Sequence, residues 1–113
     1  MRILIIANSD IGLYKFRREL IEELIKRNNE LYIAAPEGEF QNEIINLGCR
    51  YLATPLERRG MNPVKDFGLF LRYYRILKIL KPDYVFTYTI KPNIYGGIAC
   101  RFSKIPYAIN ITG

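Results

Sequence analysis

Hydrophobic and polar positions come in blocks along the chain, and the block period changes repeatedly. Arg2–Ala7 (RILIIA) is an unbroken, β-branched apolar run. Unbroken runs mark strands buried on both faces of a parallel sheet, whereas half-exposed strands alternate. After a turn at Asn8–Gly12 the spacing becomes three and four. Phe16, Leu20, Ile21, Leu24 and Ile25 predict an amphipathic helix over Tyr14–Asn28, stopped at Asn28-Asn29. The pattern then repeats. Glu30–Ala35 predicts a second strand, Glu39–Leu47 a short helix with Gly48 as its left-handed stop, and Arg50–Ala53 a third strand. Asn62-Pro63 places a capping side chain before a proline at the first helical position. It opens a long helix that runs to about Leu80 and ends before Lys81-Pro82. Tyr84–Thr87 predicts a fourth strand, Asn93–Ser103 a helix, and Pro106–Ile111 a fifth strand.

Strict alternation of strand and helix predicts an α/β fold: a Rossmann-like, doubly wound parallel sheet of five strands in the order 3-2-1-4-5. Ligands of such sheets bind beyond the carboxyl ends of the strands. A site is therefore expected from five segments: Asn8–Gly12, Pro36–Gly38, Thr54–Asn62, Tyr88–Asn93 and Thr112–Gly113.

Composition and charge narrow the partners. The 113 residues suit one domain, with half of them hydrophobic and a quarter charged. The net charge of +6 is unevenly placed. Up to Cys49 there are six basic and eight acidic residues, and from Arg50 onward eleven basic and three acidic. This asymmetry suits an anionic partner, whether phosphate, an acidic membrane face or nucleic acid, and it equally suits a merely soluble basic surface. Nucleic acid is the weakest of these, since no recognition-helix or RNP-type aromatic pattern occurs. Cys49 and Cys100 lie in apolar stretches without C-x-x-C spacing, which predicts small buried hydrophobes, no metal site and a reducing, cytoplasmic setting. The chain enters a strand straight after Met1-Arg2, so no secretory leader is expected, and no apolar run approaches membrane-spanning length.

Several chemistries are excluded by what the loops contain. Gly12 is the sole glycine of the first loop, so neither G-x-G-x-x-G nor a P-loop is present. There is no histidine, which removes histidine acid/base catalysis and His-containing triads from this chain. The amides of Asp10-Ile11-Gly12, in the loop that leads into the first helix, suit a phosphate; the alternative for Gly12 is a simple tight turn. Arg58-Arg59-Gly60 before the capped helix at Asn62 reads as an anion clamp or as an exposed basic loop. Tyr88, Lys91 and Asn93 offer a hydroxyl, a cation and an amide, which suit sugar hydroxyls and phosphate oxygens; the alternative is a capping loop. The long helix carries Phe67, Phe70, Leu71, Tyr74 and Leu77 on one face, with Arg72, Arg75 and Lys78 beside them. Such a helix serves core packing, and it also suits docking on an anionic membrane.

Three stretches carry a family resemblance: RILIIANSDIGLYKFRREL, RRGMNP, and PDYVFTYTIKPNIYGGIACR followed by KIPY and NITG. Across essentially the whole chain the sequence resembles the N-terminal domain of family 4, GT-B-type glycosyltransferases that build capsule, lipopolysaccharide or glycan chains on lipid-diphosphate carriers. The resemblance implies the acceptor-side half of a two-domain transferase, residues 1–113, whose C-terminal donor-binding domain lies outside this sequence. It implies a hexose-type sugar moved from a nucleotide sugar, as co-substrate and without another cofactor, to a lipid-linked or polysaccharide acceptor. By resemblance, Asp10, Ile11 and Gly12 would face the donor phosphates, and Arg59, Lys91 and Asn93 would line the acceptor side, joined by Arg58, Asn62, Tyr88 and Thr112. Many members carry histidines where this chain has Phe86, Tyr88 and Thr112, so no catalytic residue is assigned. The other reading is a non-catalytic acceptor-binding or membrane-recruiting subunit, cytoplasmic and peripheral at the inner face of the plasma membrane.

Overall fold

The computed structural model describes residues 1–56 and 62–110. Its five strands are β1 (Arg2–Ile6), β2 (Glu30–Ala35), β3 (Arg50–Ala53), β4 (Tyr84–Tyr88) and β5 (Tyr107–Asn110). All neighbours pair in parallel, and the order β3-β2-β1-β4-β5 is the one expected. β1 is the centre, pairing Ile5 with Ile33 on one side and with Phe86 on the other.

Two helical layers cover the sheet. The odd residues Ile3 and Ile5 of β1 pack with Leu13, Ile21, Ile33 and Ile44 under α1 (Asp10–Phe16), α2 (Arg18–Lys26) and α3 (Gln41–Asn46). The even residues Leu4 and Ile6 pack with Leu69, Tyr73, Leu77 and Cys100 under α4 (Pro63–Leu80) and α5 (Gly97–Ser103). Burial on both faces explains the unbroken apolar run of β1. Both thiols are buried, and burial pushes Cys49 up to about 11 and Cys100 up to about 12. No helix among the described residues is long and apolar enough to cross a membrane.

Several boundaries differ from the expected ones. The first helix begins at Asp10, because Ser9 accepts the Gly12 N–H and caps it, and the helical path bends at Arg17 into α2. Asp10, Ile11 and Gly12 therefore form a helical first turn rather than a loop. Phe16, expected on the core face, is 77% exposed, because the earlier start and the bend turn it outward. Tyr88 ends β4 instead of opening a loop, since it pairs in register with Asn110. Helical structure already begins at Ile90 and runs through a π turn, Pro92–Gly96, into α5, so Lys91 and Asn93 are helical. Pro92 is tolerated there because a first helical turn does not need its missing N–H. Gly48 ends the α3 segment at φ +115, as its predicted role as a stop requires.

Candidate functional site

In a right-handed β-α-β unit each helix starts at the carboxyl edge of the sheet, so the candidate residues converge there. They fall into four small groups.

The first lies after β1. Asp10 is buried and points inward: its Oδ2 accepts the Phe40 N–H at 2.7 Å, and it fills the space beside Gly38, where any side chain would collide with the carboxylate. The outward features of this turn are the exposed Ile11 side chain and the open space around Gly12.

The second group ends β4. The guanidinium of Arg17 lies 4.9 Å from the ring centre of the buried Tyr88. Burial raises the Tyr88 hydroxyl and the Arg17 charge partly offsets this. Thr89, the next residue, holds φ +72, a strained backbone for a β-branched side chain.

The third group joins α4 to the π turn. Lys91 Nζ lies 2.9 Å from Asp66 Oδ1, and the Tyr95 hydroxyl donates to Asp66 Oδ2 at 3.1 Å. The hydrogen bond from Lys91 is the largest influence holding the Asp66 carboxyl below its usual value. Lys91 is thus a paired cation. The sequence pattern marks Asp66 only as an acid in a first helical turn; nothing in it points to a partner 25 residues away.

The fourth group locks the ends of β4 and β5. The Thr87 hydroxyl donates to Asn93 Oδ1 at 2.7 Å, Asn93 Nδ2 donates to the Asn110 carbonyl at 3.0 Å, and Asn110 Nδ2 donates to the Thr87 carbonyl at 3.3 Å. Asn93 thus points to the strand ends and Lys91 to α4. Asn62 is a helix cap, with its side-chain oxygen accepting the N–H groups of Val64 and Lys65 at 3.1 and 3.2 Å. Arg58, Arg59 and Thr112 lie outside the described residues.

Two recesses open beside this edge, both lined in part by Asp66. A groove of about 660 Å³ runs between α4 and α5, with Phe67, Phe70, Tyr74, Ile98 and Phe102 as its apolar walls and Asp66 and Tyr95 at its polar end. A smaller recess of about 400 Å³, with Leu56, Lys65 and Arg72 among its lining residues, flanks the other side of α4.

A sequence model of the family described as glycosyl transferase 4-like matches residues 2–113. Among characterised proteins, the chain is 28% identical over 107 residues to the N,N'-diacetylbacillosaminyl-diphospho-undecaprenol alpha-1,3-N-acetylgalactosaminyltransferase of Campylobacter jejuni. The match covers 95% of this chain but only 28% of that protein, so the chain spans little more than a quarter of its relative. Among solved structures, MurG of Acinetobacter baumannii superposes with a TM-score of 0.74 at 20% identity, covering 97% of this chain and 33% of MurG. The UDP-GlcNAc 2-epimerase of Neisseria meningitidis superposes with a TM-score of 0.72 at 17% identity, covering 96% of this chain and 31% of that one. At these identities the structural likeness speaks to the fold alone.

Proposed function

The chain belongs to the glycosyl transferase 4-like family, and from that premise we propose that it is the N-terminal, acceptor-side half of a sugar-nucleotide-dependent glycosyltransferase. The observation that carries this reading is the family match over residues 2–113, which reaches every loop at the carboxyl edge. The fold alone would not select it, since an epimerase has the same fold. The relative's lipid-diphosphate acceptor supports a lipid-linked acceptor here as well. The protein then works on the cytoplasmic side, in peripheral contact with the membrane that holds this acceptor. The donor is a nucleotide sugar held by a second, C-terminal domain, and no other cofactor takes part.

Within that reading the residues divide by what they have free to offer. The first-turn amide of Ile11 meets the donor phosphates beside the open space at Gly12, whose own N–H is taken by Ser9, while Asp10 shapes the turn from inside through Phe40. Arg58 and Arg59 supply the acceptor-side cations. Lys91, Asn93, Asn62 and Tyr88 set the shape of the acceptor side, since the first three already have protein partners and Tyr88 is buried. Thr112 completes the proposed acceptor-side set. The chemistry belongs to the interdomain cleft, where preorganised amides and cations stabilise the leaving diphosphate.

The test is transfer by the intact polypeptide as its cells make it. Labelled nucleotide hexoses are offered with a detergent-solubilised polyisoprenyl-diphosphate glycan, and label is counted in the lipid fraction. Transfer that falls in Arg59→Ala through a raised acceptor KM supports the assignment. Absence of transfer from every nucleotide hexose, in a polypeptide no longer than this chain, favours the acceptor-binding or membrane-recruiting subunit instead.

A further inference from the structure

The bend between α1 and α2 places two neighbours against the ordinary rule of burial. Phe16 stands 77% exposed, while the next residue, Arg17, is half-buried. The Arg17 guanidinium lies 4.9 Å from the ring centre of Tyr88, which is itself buried. Apolar side chains ordinarily go inside and cations into water, so the bend gives up packing and holds a charge against the sheet. Positions where a local rule is broken in this way are those where function is expected.

The charge of Arg17 has no counter-ion. Among the described residues no carboxylate pairs with it, and its guanidinium donates to no acceptor. The face of the Tyr88 ring attracts the cation but offers no lone pair to its N–H groups. The neighbouring cations differ: Lys91 is paired with Asp66, Arg18 lies beside Glu22, and Lys15 is exposed over Phe40. The place of Arg17 in the topology matters as well. The strand order reverses direction between β1 and β4, and open parallel sheets bind ligands in the crevice at such a reversal. Arg17 belongs to the helical path that follows β1, and Tyr88 is the last residue of β4, so their contact joins the two sides of that crevice. Thr89, next in the chain, holds the strained φ of +72, a backbone that clusters at ligand sites.

We propose that Arg17 is a specificity-determining residue of this site and receives the carboxylate of an acidic sugar, a uronate, at the end of the acceptor glycan. The proposal deepens the acceptor-side reading and rests on it. The planar fork of a guanidinium matches a carboxylate with two parallel hydrogen bonds, and the Tyr88 ring holds that fork in place before the ligand arrives. Charge selects the partner. A phosphate monoester brings about two negative charges at neutral pH and calls for more than one cation, whereas a carboxylate brings one. In the acceptor-side reading the diphosphates already have partners, the Ile11 amide and the arginines Arg58 and Arg59. The charge that meets Arg17 therefore belongs to a sugar.

Equilibrium binding to the intact polypeptide tests this, followed by NMR titration with methyl glucuronide, its uncharged methyl ester, methyl glucoside and methyl phosphate. The glucuronide should bind about tenfold more tightly than either neutral glycoside, the margin of a charge-assisted hydrogen-bonded pair. Arg17→Gln should erase this margin, and Arg17→Lys should keep part of it, because lysine retains the charge without the fork. Circular dichroism verifies folding, and if Arg17→Gln unfolds, a margin reduced in Arg17→Lys supports the proposal and an unchanged one overturns it. An arginine that only packs on Tyr88 gives a lower thermal midpoint in Arg17→Gln with the margin intact, and that result overturns the proposal, as does a wild type with no margin. Methyl phosphate that binds more tightly than the glucuronide and weakens in Arg17→Gln assigns the cation to phosphate and also overturns it. Polyisoprenyl-diphosphate acceptors ending in glucuronate or in glucose separate the two proposals in the transfer assay. Glucuronide binding through Arg17 without transfer to either acceptor strikes the transferase reading alone, and transfer to both with equal acceptor KM strikes the acidic-sugar assignment alone.

Discussion

Lys91 Nζ sits 2.9 Å from Asp66 Oδ1, bridging the π turn and the first turn of α4, with the two side chains only 12% and 9% exposed. Removing one member leaves the other's charge unmatched in a nearly dry place. Asp66→Asn therefore lowers the thermal unfolding midpoint, and adding Lys91→Met recovers part of the loss, because the pair is then removed whole. The pH dependence has a definite sign. Lys91 above all, opposed by burial and assisted by Tyr95, holds the Asp66 carboxyl below its usual 3.8. The unfolded chain then takes up this proton more readily, so the stabilisation is complete above that value and is lost as pH falls through the folded one. Urea unfolding between about pH 5 and pH 2 checks this: the wild type should lose stability faster than Asp66→Asn. Equal slopes would mean that Asp66 takes no part in acid unfolding.

Gly38 is required by space rather than by backbone conformation. A methyl group there displaces the Asp10 carboxylate, which must release the Phe40 N–H. Gly38→Ala and Asp10→Ala should each cost about 2 kcal/mol, the range for losing a charge-assisted hydrogen bond. The double substitution should cost far less than their sum, because Asp10→Ala vacates the space that the new methyl group needs. Chemical denaturation of all four forms gives the coupling directly, and strict additivity would disprove it.

Tyr73 is fully buried on α4, and its hydroxyl has no hydrogen-bond partner among the described residues. Burial alone raises its pKa. Tyr73→Phe keeps the ring and removes the unmatched group, so it should raise stability by about 1 kcal/mol. A loss of stability in the same denaturation assay would reveal that the hydroxyl has a partner in solution.

Asn93 separates structural from functional roles at the site. Its two side-chain bonds tie Thr87 of β4 to the Asn110 carbonyl of β5. Asn93→Ala should cost about 2 kcal/mol by leaving these groups unmatched. Amide exchange should show the loss concentrated in β5. If Asn93→Ala instead leaves stability unchanged and raises the acceptor KM, Asn93 touches the acceptor directly.

The architecture was legible because each strand is a block of one period and each helix a block of another. Ile3 to Ile6 could be read as doubly buried, and that reading fixed β1 as a central strand. Element ends were harder, because they depend on groups that local periodicity does not register. The Ser9 cap starts the first helix early, and Pro92, which reads as loop punctuation, sits inside a first turn. The site residues were legible as residue types at the carboxyl edge and not as partnerships. Lys91 looks free in sequence, since Asp66 lies 25 residues away, before the rest of α4 and all of β4. Gly38 looks like an ordinary turn glycine, since Asp10 approaches it only after β2 has paired with β1. Nothing local to Arg17 singles it out in sequence, because its partner Tyr88 comes from β4.

The strand order also sets a timetable for biosynthesis. β1 precedes every other strand off the ribosome, yet it ends at the middle of the sheet, between β2 and β4. Its second ladder pairs Ile3 with Tyr84, so one of its edges waits until β4 has been made. Until then this unbroken apolar segment has only β2 beside it, the exposure that invites aggregation and chaperone capture. Closing that long separation is the slow, high-contact-order step, and β4 is the segment whose arrival ends the nascent chain's vulnerability.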